Sequence, residues 1–201
     1  TEGVTHILTG FDHLFFLAVL LLPAMLRRHD GVWQPVDRFR DGLVETMKIV
    51  SAFSVAHTVT VALAALQIVQ PPSRMIEAAI ALTIGLTALD LMVPFLGRRR
   101  WLIAGSFGLI HGFGFAGALG PLALPAWDLA VALIAFNLGV EAGQLMVALL
   151  VLPIGYVIRR RRFYPRLLVP VVSAAAIAVS LLWFAERTLA LPSWGGGLLP
   201  F

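Results

Sequence analysis

Residues 128–156 read DLAVALIAFNLGVEAGQLMVALLVLPIGY. Between Asp128 at one edge and the arginines at 159–162 beyond the other, the only charged side chain is Glu141. A helix crosses the hydrocarbon core of a bilayer with ~20 apolar residues, so this stretch is long enough to span it. The same environment charges roughly 2.5 to 3.5 kcal/mol for a carboxylate at its centre, and such a residue marks function by default. A membrane span and a misplaced acid are thus read from one segment.

Working outward, apolar runs at about 6–26, 44–68, 75–96, 101–120 and 166–187 repeat the pattern. The chain is 59% hydrophobic and 13% charged, with a mean hydropathy of +0.90. Soluble domains carry roughly 25% charged residues, which excludes a water-soluble fold. The expectation is an all-α integral membrane bundle of about six transmembrane helices, forming a single domain over residues 1–201. The net charge of +4 is no sign of nucleic acid, because the arginines cluster between apolar runs instead of lining one face. Cysteine is absent, so any metal must be held by nitrogen and oxygen.

The basic residues also orient the bundle. Arg27, Arg28, Arg38, Arg40 and Lys48 flank the first connection, Arg98 to Arg100 the third, and Arg159 to Arg162 with Arg166 the fifth; the other connections hold Arg74 and little else. Basic loops stay in the cytoplasm, so both termini are expected on the extracytoplasmic side of a bacterial inner membrane. The chain opens at Thr1 without a methionine or a basic leader, which suggests removal of an upstream segment. The Gly-rich stretch 192–201 reads as a loose end.

Ionisable and polar residues inside the spans are numerous. His6, Gly10 and His13 stand at i, i+4 and i+7, which on a continuous helix is one face, with Asp12 beside it. Ser51, Ser54, His57, Thr58 and Thr60 form a polar patch in the second span, whose hydroxyls are expected to bond back to their own helix or a neighbour. His111 lies among small residues in the fourth span, and Asn137, Glu141 and Gln144 form a stripe on the fifth. At ~1.5 Å rise per residue these sets fall at compatible depths on four helices. Imidazole with carboxylate suits nickel, cobalt, zinc or iron. The expected metal ligands are His6, Asp12, His13, His57, His111 and Glu141, with Asn137, Gln144, Glu77 and Asp90 as supporting or path residues. Glu77 opens the third helix, where the helix dipole or a role at the outer mouth would account for it. Asp90 is placed either opposite Lys48 or Arg98 or at the exit of an ion path. His29, in a basic loop, reads as ordinary surface.

The segments His6-x-x-x-Gly10-x-Asp12-His13, His57-Thr, Leu109-Ile-His111-Gly-Phe-Gly-Phe-Ala and Phe136-Asn137-x-Gly-Val-Glu141-x-Gly-Gln144, in that order, resemble the HupE/UreJ family. The resemblance spans roughly residues 3–155. It implies a nickel or cobalt permease associated with metalloenzyme maturation, in which His6, Asp12 and His13 select the ion and His57, His111 and Glu141 complete the site.

Two functions from different classes follow. A secondary transporter would pass a divalent transition metal ion along these residues; six helices are few for that, and a homo-oligomer is expected. An intramembrane hydrolase would instead hold zinc on His13, His57 and His111, with Glu141 or Asp12 as base, and cleave a lipid, amide or membrane peptide. No His-Glu-x-x-His helix or Gly-x-Ser-x-Gly elbow supports the enzyme. Transport is therefore favoured. A membrane sensor or assembly subunit that only binds the ion is a third possibility.

Overall fold

The computed structural model describes residues 2–29, 32–96, 99–114 and 125–189. They form seven α-helices, α1 (Glu2–Thr9), α2 (Phe11–Leu21), α3 (Phe39–Ala65), α4 (Ser73–Met92), α5 (Arg100–Gly114), α6 (Ala126–Ile158) and α7 (Val169–Leu189). A π-helical turn, Tyr164–Leu168, leads into α7. Four segments are long and apolar enough to cross a membrane: Phe39–Ala65, Ser73–Met92, Trp127–Ile158 and Tyr164–Leu189. A fifth is counted if α1 and α2, bent by 75° relative to one another, make one broken span. Large apolar side chains such as Leu149, Val157 and Leu181 stand exposed on the outer faces of these helices, which suits lipid contact. The protein is an integral membrane bundle of α-helices.

Two expectations need correction. The first apolar run, 6–26, is not one helix: Gly10 takes an extended conformation (φ −73°, ψ 102°) between α1 and α2. Helix resumes at once, with Leu14 N–H donating to Gly10 O at 3.0 Å, but in a new direction. The run also ends early, at Leu21, because Pro23 interrupts the helix ladder and the chain turns into a β-hairpin. Its strands β1 (Leu26–His29) and β2 (Val32–Pro35) pair antiparallel, Arg28 opposite Trp33, where only a basic connection was expected. The expected fourth span, 101–120, is described to Gly114 as α5; its remainder and the tail 192–201 lie outside the described residues.

Without a hydrophobic force between helices in lipid, association depends on close packing through small residues. α5 lies against α3 at Gly108 and Gly112; a Cβ on Gly108 would fall 2.5 Å from Phe53 O, and one on Gly112 would collide with Thr60 Oγ1 and His57 O. α1 lies against α6 in the same way, with a Cβ on Gly143 only 3.0 Å from Ile7 Cβ. α4 and α7 meet where Ser180 Oγ donates to Ala81 O at 2.6 Å. The central apolar core of Phe16, Ile49, Phe53, Ile80, Ile84 and Trp183 draws on α2, α3, α4 and α7.

The two ends of the bundle differ. At one, Arg28 of the hairpin reaches Leu91 O (3.4 Å) and Met92 O (3.3 Å), placing a cation at the C-terminus of α4 where the helix dipole favours it. Arg28 and Arg100 both stack on Trp33, and Arg159 at the end of α6 donates to Val36 O at 2.9 Å. At the opposite end, Glu77 pairs with Arg187 at 3.3 Å, and Arg74 Nε donates to Arg187 O at 2.7 Å.

Candidate metal centre

The break at Gly10 makes a corner, and the corner brings its own polar residues together. His6 leaves α1 and His13 leaves α2, with ring centroids 4.5 Å apart. A Cβ at position 10 would sit 2.7 Å from His6 O, 3.0 Å from His13 Nδ1 and 3.1 Å from Asp12 Oδ1. Glycine is required here for space, since a backbone at φ −73° and ψ 102° is open to any residue. The expected single face of His6, Gly10 and His13 on one straight helix is thus replaced by a fold of the chain upon itself, with the two histidines still in contact.

Two further imidazoles arrive from α3 and α5. His57 lies 6.4 Å from His6 and 6.2 Å from His13, and His111 lies 5.8 Å from His13, ring centre to ring centre. The close α3–α5 contact at Gly112 sets the distance between the last two helices at this level. Phe16, Phe53 and Phe136 wall the cluster, at 4.9 Å from His111, 5.8 Å from His57 and 5.4 Å from His6 respectively.

Within the cluster, one donor atom each from His6, His13 and His57 lie within 4.8 Å of one another, and so do one each from Asp12, His13 and His111. Ligands at about 2.1 Å from a shared ion stand at most about 4.2 Å apart, so small side-chain rotations close either set. Asp12, His13, His57 and His111 are all buried.

Hydrogen bonds settle which ring nitrogens face inward. Asp12 Oδ1 lies 3.1 Å from His13 Nδ1 and, as a carboxylate, accepts, so Nδ1–H donates and Nε2 keeps its lone pair. The hydroxyl of Thr83 gives its proton to Ile80 O at 2.8 Å, so it accepts from His111 Nε2–H at 3.0 Å, leaving the lone pair on Nδ1. His13 Nε2, His111 Nδ1 and both ring nitrogens of His57 are buried without a hydrogen-bond partner among the described residues. Each such orphan costs roughly 1 to 3 kcal/mol. Imidazoles held from behind by carboxylate or hydroxyl, with the other nitrogen open, are the arrangement metal-ligating histidines adopt.

The remaining expected residues divide. Asn137 lies beside His57, its Nδ2 tied to Leu133 O at 2.8 Å and its Oδ1 buried without a hydrogen bond among the described residues. Gln144 is buried and accepts from Ser54 Oγ at 2.8 Å, joining α6 to α3 beside the cluster. Glu141 joins neither ligand set and stays half-buried on α6; Val140 takes the position facing α1, and Glu141 lies about 100° further round the helix. Glu77 is occupied by Arg187 at the far end of α4. Asp90 accepts from Phe95 N–H and Leu96 N–H, both at 2.8 Å, and Lys48 pairs instead with Glu45 at 3.8 Å. Thr58 and Thr60 bond back to their own helix, as expected of hydroxyls in lipid.

Thr83 was not anticipated as the partner of His111. Its signal was present in the sequence: Thr83, Thr87 and Asp90 stand at i, i+4 and i+7, the spacing that made the Asn137–Gln144 stripe visible.

The family described as HupE / UreJ protein matches residues 1–187. No curated protein and no solved structure matches the chain.

Proposed function

The chain belongs to the HupE/UreJ family, and on that premise we propose that it is a secondary permease for a divalent transition metal ion, nickel or cobalt, in a bacterial inner membrane. The observation that carries this is the approach of His6, Asp12, His13, His57 and His111 from four helices in two groups of three that share His13, with open nitrogens of His13, His57 and His111 buried among them. Imidazole nitrogen with one carboxylate prefers borderline cations such as nickel and cobalt over magnesium or calcium, which take oxygen.

In this reading the ion sheds water at the outer mouth and is captured by His6, Asp12 and His13. His57 and His111 share it, and Asp12 offsets one of its charges inside the membrane. His13 belongs to both ligand sets, so the ion changes partners on either side of it without ever being released into lipid. Glu141 lies outside both sets and serves the approach to the site in place of direct ligation. The basic end of the bundle is cytoplasmic by the positive-inside rule, which gives six crossings, the first broken at Gly10, and both termini outside. Maturation proteins of nickel enzymes are the expected recipients, and a homo-oligomer is the expected assembly.

Uptake of radiolabelled nickel into proteoliposomes tests the proposal directly. The unmodified protein should carry nickel above the level of empty liposomes, and His13→Ala should not. Flux indistinguishable from empty liposomes with the unmodified protein would refute it.

A further inference from the structure

A cavity of about 30 Å³ lies between α2, α4 and α5, on the side of the histidine cluster toward the arginine-rich end. That is room for a water or a bare ion. Its wall includes Leu20, Thr87, Asp90, Arg100, Ala104 and Phe107. Two of these connect it to the metal centre. Thr87 is one helical turn beyond Thr83, the partner of His111, and its hydroxyl donates to Thr83 O at 2.7 Å. Phe107 is one turn from His111 on α5, its ring 6.4 Å from Phe16, which in turn lies 4.9 Å from His111.

Thr83, Thr87 and Asp90 thus make a buried oxygen stripe along α4 that starts at the cluster and ends in this cavity. Oxygen at each turn of an apolar helix is what a partly dehydrated cation needs along its way. Among the described residues, Asp90 is the only carboxylate lining the cavity. One of its oxygens, Oδ1, holds the turn after α4 through Phe95 N–H and Leu96 N–H, which fixes the group in place. Arg100 lines the same cavity without an ion pair to Asp90 among the described residues, and is held on Trp33. A fixed positive charge nearby weakens a carboxylate's hold on a cation, which favours release over storage.

Resting on the permease reading above, we propose that this cavity is the inner vestibule of the route: Asp90 receives the ion from the histidine cluster, and Arg100 keeps that stay short. Phe16 and Phe107 then form the apolar barrier between the two stations.

The test uses the full chain in proteoliposomes with nickel as the probe. Asp90→Asn keeps an oxygen for the two backbone N–H groups and removes the charge. It should leave nickel affinity at the cluster within twofold of the unmodified protein while lowering uptake at least tenfold. Because the chain has no cysteine, Thr87→Cys introduces a single thiol. A charged methanethiosulfonate should reach that thiol from the arginine-rich side, and nickel should slow the labelling at least fivefold. Uptake by Asp90→Asn at the unmodified rate, or a Thr87→Cys thiol inaccessible from that side, would overturn the vestibule and leave the permease standing. No uptake by the unmodified protein would remove both.

Discussion

The histidine corner and the rim where α4 meets α7 are both groups of ionisable side chains on membrane helices, yet they are built on opposite principles. At the rim, Glu77 and Glu186 both lie within ion-pair distance of Arg187, at 3.3 and 3.6 Å. At the corner, the buried nitrogens of His13, His57 and His111 that face inward have no hydrogen-bond partner among the described residues. A paired charge near a helix end secures the structure. A buried lone pair left open costs stability and is retained for something that comes and goes. Partner satisfaction, which is a property of the fold, separates the two regions where residue type does not.

That distinction can be broken by experiment. His13→Ala removes the residue common to both ligand sets and should lower nickel affinity at least a hundredfold by calorimetry; a loss of less than tenfold would mean that the corner is not the binding site. Gly112→Ala drives a methyl group into Thr60 and His57 O, at a cost of about 1 to 3 kcal/mol of overpacking. Separating α3 from α5 there should weaken nickel binding at least tenfold without touching a ligand, and a crystal structure of the variant should show His57 and His111 further apart.

His57→Leu sharpens the comparison because the two regions predict opposite signs. Removing two orphan nitrogens should raise the melting temperature of the metal-free protein by a few degrees, from a gain of about 1 kcal/mol, while nickel affinity falls. A lower melting temperature would make His57 a structural group. Glu77→Gln, at the rim, should do the reverse on a smaller scale: about 0.5 to 1 kcal/mol less stable in detergent, with nickel affinity unchanged. Loss of nickel binding on this change would dissolve the contrast.

Much of this was legible in the sequence, and what was missed has physical causes. Apolar length marked the helices because the bilayer imposes it, and four of the six expected spans reappear as helices within a few residues of their expected ends. Five of the six residues expected as ligands stand in two groups, sharing His13, whose donor atoms are close enough to hold an ion; an ionisable residue in a span is costly enough to be conspicuous by itself. Glu141 met the same criterion but lies off the converging face; depth on a helix follows from counting, whereas its rotation is set by packing of Phe136, Val140 and Gly143 against α1. The bend at Gly10 was hidden because a lone glycine in an apolar run is also compatible with a straight helix. The hairpin was hidden because its four-residue strands carry no alternating pattern, with arginines at both Arg27 and Arg28. Thr83 was passed over because a threonine in a membrane helix ordinarily bonds to its own backbone, and this one also does so.

The seat of α1 on α6 has a consequence for the order in which the molecule is made. The eight residues Glu2–Thr9 lodge against Phe136, Gly139, Val140 and Gly143, so α1 has no resting place until the fifth apolar run has been synthesised. His6 therefore reaches its neighbours late, after His57 and His111 are already in the bilayer. A growing chain has no complete nest of imidazoles with which to seize a stray ion. The full group of imidazoles exists only once α1 has docked onto α6, which makes the candidate metal centre a record of late assembly.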